Sequence, residues 1–565
     1  MSTVESFGTE LFLGRFRPGL LDPLPARALD ADSEAFLTRL RDFCTDKVDS
    51  TLVEHEGRIP DEVIAGLKDL GAFRIRIPKE YGGLGLPGSC YLRALMIVNT
   101  THSALGELLA AHQAIGLPQP ILLFGTEEQK RLFLPRCARE ISAFTLTEPD
   151  IGNDPFRMRT TAVRAADGSY RLTGLKSWVT NGVLADLIVV LAMVPDAGMT
   201  AFVVEARSPG VTVEHRSEFL GLRGLENGVI RFHDVVVPAT HRIGEEGKGL
   251  EVALAAQDTG RLSLPAVSAA AAKWSLKIAR EWSRVRVQWD KPIGEHEAVA
   301  AKISFIAATA FALEAIVEVT GRHADAGADT HMDAELAKLF ASEKAWQVAD
   351  ELVQIRGGRG YETAASAAAR GERGVPVEQL LRDTRIGRIF DGSTEALRGF
   401  IAQEALAPHV PPPTADPDYD FGPLTPHLRF VERTCRSVAQ HLAHGRTRWA
   451  GELEERQQFL GRLVDITAEL YAMSVSCVYA KSRTDPAAAE LADAFCHQAR
   501  LRTAELFGRL WSNTDDHDRA VARGVLADRY TWLEDGILDP SIEGPWIADP
   551  TPGPSRHKNL HRRVP

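Results

Sequence analysis

Apolar residues change their spacing twice along this chain. From 31 to 140 they recur at helical intervals, as in Phe36-Leu40-Phe43 and Val63-Leu67-Leu70, with stops at turn signals such as Tyr81-Gly82-Gly83. From 141 to 249 the pattern becomes short β-rich runs: Tyr170-Arg171-Leu172, 187–191, 201–204, and 229–237 ending at Pro238. Gly and Asp clusters separate these runs, which predicts antiparallel strands. From 250 to 408 helical spacing returns in long Ala-rich segments, and Leu336, Leu339, Phe340 and Trp346 fall on one stripe suited to a packed bundle. Residues 1–30 read as an N-terminal arm. The Pro- and Asp-rich stretch 409–425 reads as a linker, and 426–565 as an additional C-terminal helical domain with an irregular tail after Ser541. The predicted fold class is mostly α with a central β domain. In chain order it has an N-terminal helical domain, an antiparallel β domain, a four-helix bundle and the extra helical domain.

That order lacks the strand–helix alternation of a Rossmann domain. Neither Gly82-Gly83-Leu84-Gly85 nor Gly357-Gly358-Arg359-Gly360 is a G-x-G-x-x-G fingerprint between a strand and a helix. A net charge of −11 argues against a nucleic-acid binder. Six cysteines (Cys44, Cys90, Cys137, Cys435, Cys477, Cys496) form no CxxC pair, so buried reduced thiols are expected and no metal site. The N-terminus lacks the charged-then-apolar layout of a signal peptide, and no run reaches the roughly 18 apolar residues of a membrane span. The most apolar run, 184–194, contains Asp186 and stops at Pro195. A cytoplasmic protein without stable membrane insertion is the expectation.

Four segments carry candidate chemistry. The first, 144–154, combines hydroxyls, backbone donors and turn residues. In the second, 174–182, Trp178 could stack on a flat ring, with Thr180 two residues on along the same strand face. In the third, 284–293, Arg286 beside Gln288 could grip a pyrophosphate. The fourth runs from Gln354-Ile355-Arg356-Gly357-Gly358 through Arg382-Asp383 to Arg388-Ile389-Phe390-Asp391-Gly392-Ser393-Thr394. Taken singly, each has a bland reading: a capped loop, a half-buried Trp, a solvated basic turn, an Asp acting as a cap.

Their order and spacing resemble the acyl-CoA dehydrogenase family, most closely its very-long-chain branch. Supporting stretches are Ala111-His112-Gln113, Leu122-Leu123-Phe124-Gly125-Thr126, Gly244-Glu245 and Gly260-Arg261. The resemblance implies FAD between the β domain and the bundle, across the interface of a homodimer, with a tetramer as the second expectation. By motif, Phe144, Leu146 and Thr147 would line the flavin, Trp178 pack on its ring, and Thr180 bond near N5. Gly152 and Asn153 would surround flavin phosphate and substrate. Arg286, Gln288, Trp289, Gln354 and Gly358 would reach the neighbouring subunit's FAD, and Ser393 and Glu395 would flank the catalytic loop. Asn153, Asp258, Arg261 and Gly392 would border the substrate. The implied activity is α,β-dehydrogenation of an acyl-CoA or acyl-carrier-protein (ACP) thioester, with an electron-transferring flavoprotein as acceptor.

The sequence departs from that family where the chemistry lies. Its usual base is a Glu, and here Asp391 stands in that position, one methylene shorter. An alternative base position, one residue before Arg261, holds Gly260, so Asp391 has no rival there. Trp289-Asp290 replaces the usual Phe-Gly, and 362–375 reads as an insertion. The short acidic linker stands where the very-long-chain branch carries a basic amphipathic insert. Competing readings are a flavin oxidase or monooxygenase on the same fold, and a catalytically impaired FAD-binding or scaffold homologue.

Overall fold

The computed structural model describes residues 6–26, 29–407, 419–549, 551 and 553–564; the side chains of Asp258 and Thr259 lie outside the description. The N-terminal helices include α1 (Ala31–Lys47), α2 (Gly88–Thr101) and α3 (Ser103–Ala110). Asp30 caps α1 by accepting from the Ser33 N–H, and Phe36, Leu40 and Cys44 form its buried face. Gly82 closes a 3-10 turn at a φ of 81°, as its turn signal predicts. Gly83 is required for another reason: a Cβ there would meet the Ile77 carbonyl oxygen at 1.8 Å.

After α3 comes an eight-stranded sheet. Its strands are β1 (Ser142–Thr145), β2 (Thr161–Arg164), β3 (Tyr170–Val179), β4 (Leu187–Val194), β5 (Gly198–Glu205), β6 (Val211–Arg216), β7 (Gly228–Val237) and β8 (Arg242–Ile243). The order is β6-β7-β3-β2-β4-β5-β8, with β1 also on β4. The sheet is mixed rather than purely antiparallel, because β1 and β2 both pair with β4 in parallel. β4 explains its own unbroken apolar run. Ile188, Val190 and Ala192 enter one core, while Leu187, Val189 and Leu191 enter another on the opposite face.

The bundle follows: α4 (Gly249–Gly260), α5 (Ser263–Val285), α6 (Glu297–Asp325), α7 (His331–Arg356), α8 (Val377–Arg385) and α9 (Thr394–Leu406). A two-strand hairpin, β9 (Val287–Gln288) with β10 (Lys291–Pro292), projects between α5 and α6. Buried alanines on α5 (Ala266, Ala269, Ala270, Ala272) let α6 and α7 approach closely. The C-terminal helices are α10 (Thr425–Trp449), α11 (Gln457–Lys481), α12 (Ala487–Trp511) and α13 (Asp515–Leu526). They share one continuous core with the N-terminal helices and the bundle. By length and composition α6 and α11 could cross a membrane, which the sequence reading of apolar runs passed over; both are mostly buried against other helices. All six cysteines are buried and unpaired.

Much of the linker reading falls on 408–418, outside the described residues; beyond it, Tyr419 packs edge-on against Phe16 at 5.2 Å. The arm is not a loose appendage. Phe7, Leu11 and Phe12 are buried, and the Gly8 N–H donates to Asp333 at 2.6 Å. The tail after Ser541 has no helix or strand among the described residues, yet its end returns to the sheet: the Leu560 N–H donates to the Val213 carbonyl and Arg562 pairs with Glu226.

Candidate active site

The chain leaves α8 through a 3-10 turn (Ile386–Arg388) and reaches Asp391 before α9 begins. Asp391 sits at a φ of 51° and Gly392 at 87°. Left-handed backbone suits Gly and strains most other residues, though Asp tolerates it better than most. Lys338, on α7, grips the loop from behind. Its Nζ donates to the carbonyl of Phe390 at 3.2 Å and to that of Gly392 at 2.5 Å. Downstream, Ser393 caps α9 by accepting from the Ala396 N–H. Glu343 accepts from Thr394 at 2.7 Å and from Arg388 at 2.8 Å, which fixes both flanks of the loop.

Asp391 leaves much of its surface open, because it stands in a cleft rather than in packed core. Protein still walls the cleft. Burial pushes the Asp391 carboxyl above its ordinary range, against the pull of Lys338 and Arg261. Burial also lowers the Lys338 ammonium to about 8, while Asp391 opposes that shift. A second carboxyl faces the same space: Glu107 on α3, raised to about 8 by burial and then by Asp391. Arg261 pairs with Glu335 at 2.8 Å, with both side chains nearly covered. The Tyr91 and Ser263 hydroxyls lie 3.0 Å apart near this cluster. Lys338 and Glu107 were missed in the sequence. Their signal is a charged residue inside an apolar stretch, Leu336–Phe340 and Leu105–Leu109 respectively.

The sheet supplies a second wall. Phe144 lies on β1, which ends at Thr145 with Leu146 and Thr147 just beyond, and the Thr147 carbonyl accepts from the Ser177 N–H. Trp178 is 57% exposed. The expectation that Trp178 and Thr180 share a strand face fails: Trp178 has a φ of 53° at an irregularity in the β3–β7 register, and β3 ends at Val179. Alternation requires extended backbone, and a left-handed residue breaks it. Thr180 instead accepts from Asn227 at 3.2 Å. The 144–154 segment is anchored by Glu148, whose carboxylate takes the Lys176 ammonium at 3.0 Å and the N–H groups of Arg159 and Thr160. Asn153 reaches across to the bundle and donates to Ser393 at 3.4 Å, joining two predicted site residues. Gly152 lies exposed in the same loop, and Glu395 is exposed in the first turn of α9.

Other predicted residues stand apart from this cleft. Arg286 and Gln288 lie on the β9–β10 hairpin, and Trp289 at its tip is 85% exposed. Gln354 and Gly358 flank the end of α7, where Arg356 and Arg359 lie over Trp282 at 4.5 and 5.5 Å. Asp258 falls in α4, but its side chain lies outside the described residues. The 362–375 segment contains a short helix (Ala364–Ala369) and ion pairs of Arg359 and Arg370 with Glu372.

The walls fit a flavin dinucleotide. Trp178 offers an open indole face at the sheet rim. Among the described residues, three buried polar atoms beside the predicted positions lack hydrogen-bond partners: Asn181 Oδ1 and Asn227 Oδ1 near Thr180, and Arg356 Nε near Gln354. A Cβ added at Gly357 or Gly358 would meet nothing, so backbone there is open to a ligand.

The fold is that of a flavoenzyme. Three family patterns match in order: acyl-CoA dehydrogenase N-terminal domain over 30–140, middle domain over 143–235 and C-terminal domain over 247–406. The chain is similar to the probable acyl-CoA dehydrogenase FadE10 of Mycobacterium tuberculosis, 53% identical over 612 aligned positions that cover 99% of this chain and 94% of that protein. The human very long-chain specific mitochondrial acyl-CoA dehydrogenase is 33% identical, over 70% of this chain and 62% of its own length. Among solved structures, the FAD complex of an acyl-CoA dehydrogenase from Bacillus anthracis shares the fold at a TM-score of 0.76 and 24% identity, covering 89% of this chain and 91% of that one. Butyryl-CoA dehydrogenase of Megasphaera elsdenii aligns at 0.63 with 31% identity, over 68% of this chain and all of that one. This chain belongs to the acyl-CoA dehydrogenase family. It is an FAD-dependent oxidoreductase acting on CH–CH bonds.

Proposed function

We propose that this enzyme desaturates an acyl thioester between its α and β carbons with Asp391 as the base. The observation that carries this reading is the Asp391 loop itself. A left-handed carboxylate residue is fixed by Lys338 through the carbonyls on both sides, in a cleft that raises its pKa. A raised carboxyl pKa makes a stronger base for an α-proton. Such strain persists only where surrounding structure holds it.

Bound FAD supplies the two-electron acceptor for the β-hydride. The protein does the rest. The Asp391 carboxylate takes the α-proton, and its backbone N–H would stabilise charge on the thioester oxygen. Lys338 and Arg261 favour the ionised form of Asp391 against the opposing effect of burial. Trp178, Phe144, Leu146 and Thr147 form the ring-binding wall. Thr180, Gly152, Asn153, Ser393 and Glu395 border the cofactor and substrate, and Gly392 and Asp258 border the acyl group. Arg286, Gln288, Trp289, Gln354 and Gly358 serve the FAD of a second subunit. A homodimer is supported by apolar side chains left open on the tail, among them Leu538, Ile542 and Trp546. The carrier is CoA, with ACP as the alternative, and the electron acceptor an electron-transferring flavoprotein. Six unpaired cysteines support a reducing, cytoplasmic setting.

Anaerobic mixing of the holoenzyme with acyl-CoA tests the base. Bleaching of the flavin is expected, and Asp391→Asn should abolish it while keeping FAD bound. An Asp391→Asn variant as fast as the parent removes Asp391 from the role. Fast reoxidation of the reduced flavin by O₂ would point to the oxidase instead.

A further inference from the structure

A cavity opens beside the Asp391 loop, bounded by α2, α3, α5, α7 and α8, with Phe390 in its wall. Leu264, Val267 and Leu380 make it partly apolar, as an acyl pocket requires. Its other lining is unusual for a plain alkyl chain: Asn99, Ser103, Glu107, Ser268, Asp383 and Thr384 all border it.

Most of these polar groups are already satisfied. Asn99 donates to the Val267 carbonyl, Thr384 to the Leu380 carbonyl, and Asp383 accepts from the Leu222 N–H at 2.7 Å. Glu107 differs. Among the described residues its carboxyl has no hydrogen-bond or ion-pair partner, although protein surrounds it. A carboxyl in that position loses water when the pocket fills. A methylene chain gives nothing in return, whereas a hydrogen-bonding group replaces the lost partner. Sites with such buried polar groups reject analogues that leave them unpaired.

Resting on the dehydrogenase reading above, we propose that Glu107 is a specificity residue, and that the site takes acyl thioesters whose chain carries a hydroxyl beyond the β carbon, in preference to unsubstituted alkyl chains. A neutral hydroxyl suits the pocket. Lys338 and Arg261 face the same cleft and disfavour a cationic chain, and Glu107 itself is held largely protonated near neutrality. A protonated carboxyl both donates to and accepts from a hydroxyl.

The test compares hexanoyl-CoA and palmitoyl-CoA with hexanoyl-CoAs hydroxylated at C4, C5 or C6, by anaerobic flavin bleaching. At least one hydroxylated isomer should exceed hexanoyl-CoA in kcat/KM by about 10-fold or more, the scale of one well-made hydrogen bond. Glu107→Leu should erase that preference and improve hexanoyl-CoA. Equal or better use of both alkyl thioesters by the parent overturns the proposal, as does a preference that survives in Glu107→Leu. Calorimetric binding of the same thioesters to holo Asp391→Asn reads selectivity without turnover. If no thioester bleaches the parent flavin, the dehydrogenase reading fails, and binding still decides Glu107. A hydroxyl preference there upholds its role, and its absence overturns it.

Discussion

Lys338 holds Asp391 by the backbone rather than by the side chain: the ammonium bridges the carbonyls of residues 390 and 392, one on each side of it. The carboxylate is thereby left free for substrate, while its loop is fixed to the most enclosed helix of the bundle.

Lys338→Met keeps the stem volume and removes that bridge. Loop displacement on the order of 1 Å would lower kcat/KM by ~100-fold. Two unpaired carbonyls would cost roughly 1–3 kcal/mol each where they stay dry. Steady-state kinetics with FAD content and thermal melting separate the two effects. Full activity in this variant would show that the loop holds its shape without the lysine.

The Asp391–Glu107 pair sets a pH dependence. Both carboxyls are raised, Glu107 to about 8, so the pair releases its protons in two steps. The folded chain keeps protons that the unfolded chain has lost, so stability from this pair falls as pH rises toward 8. Activity runs the other way, since the base must be ionised. Asp391 ionises while Glu107 is still neutral, so Glu107→Gln should keep the acid limb of kcat/KM and remove the second proton release near pH 8. A release near pH 8 that persists in this variant would assign it to another group.

His112 makes the opposite contribution. It is fully buried; its Nε2 lies 3.0 Å from the carbonyls of Phe73 and Cys137, and its Nδ1 accepts from the Ser142 N–H at 3.0 Å. Burial lowers its pKa to about 4 despite those carbonyls. The unfolded chain therefore takes up the proton first, and stability falls as pH drops from about 6.5 toward 4. The loss is on the order of 3 kcal/mol. Melting temperature against pH should show it, and His112→Gln should flatten that slope at a lower overall stability.

The buried Lys176–Glu148 pair anchors the segment between β1 and β2. Lys176→Met strands a carboxylate in the interior and should cost about 3–5 kcal/mol. Because Thr147 neighbours Glu148, FAD affinity should fall as well, measured as retention on dialysis. A stable variant with intact FAD binding would show that the two backbone donors to Glu148 suffice.

Sequence pattern alone determined the block order of helices, sheet, bundle and further helices. Local periodicity reports which face of each element is apolar, and α1, α5 and α10 all carry that signal. It also singled out Trp178, Asn153, Asp391 and Ser393, because motif spacing survives without coordinates. Only the tertiary structure decided that β1 and β2 run parallel to β4, and that Trp178 leaves the strand alternation. Strand partners and left-handed backbone are set by long-range packing, and single residues do not encode them. The same holds for Lys338 and Glu107. Each is one charge in an apolar stretch, and its meaning comes from elements far away in sequence that fold around it, since burial rather than residue type turns a charged side chain into a loop clamp or a recognition group.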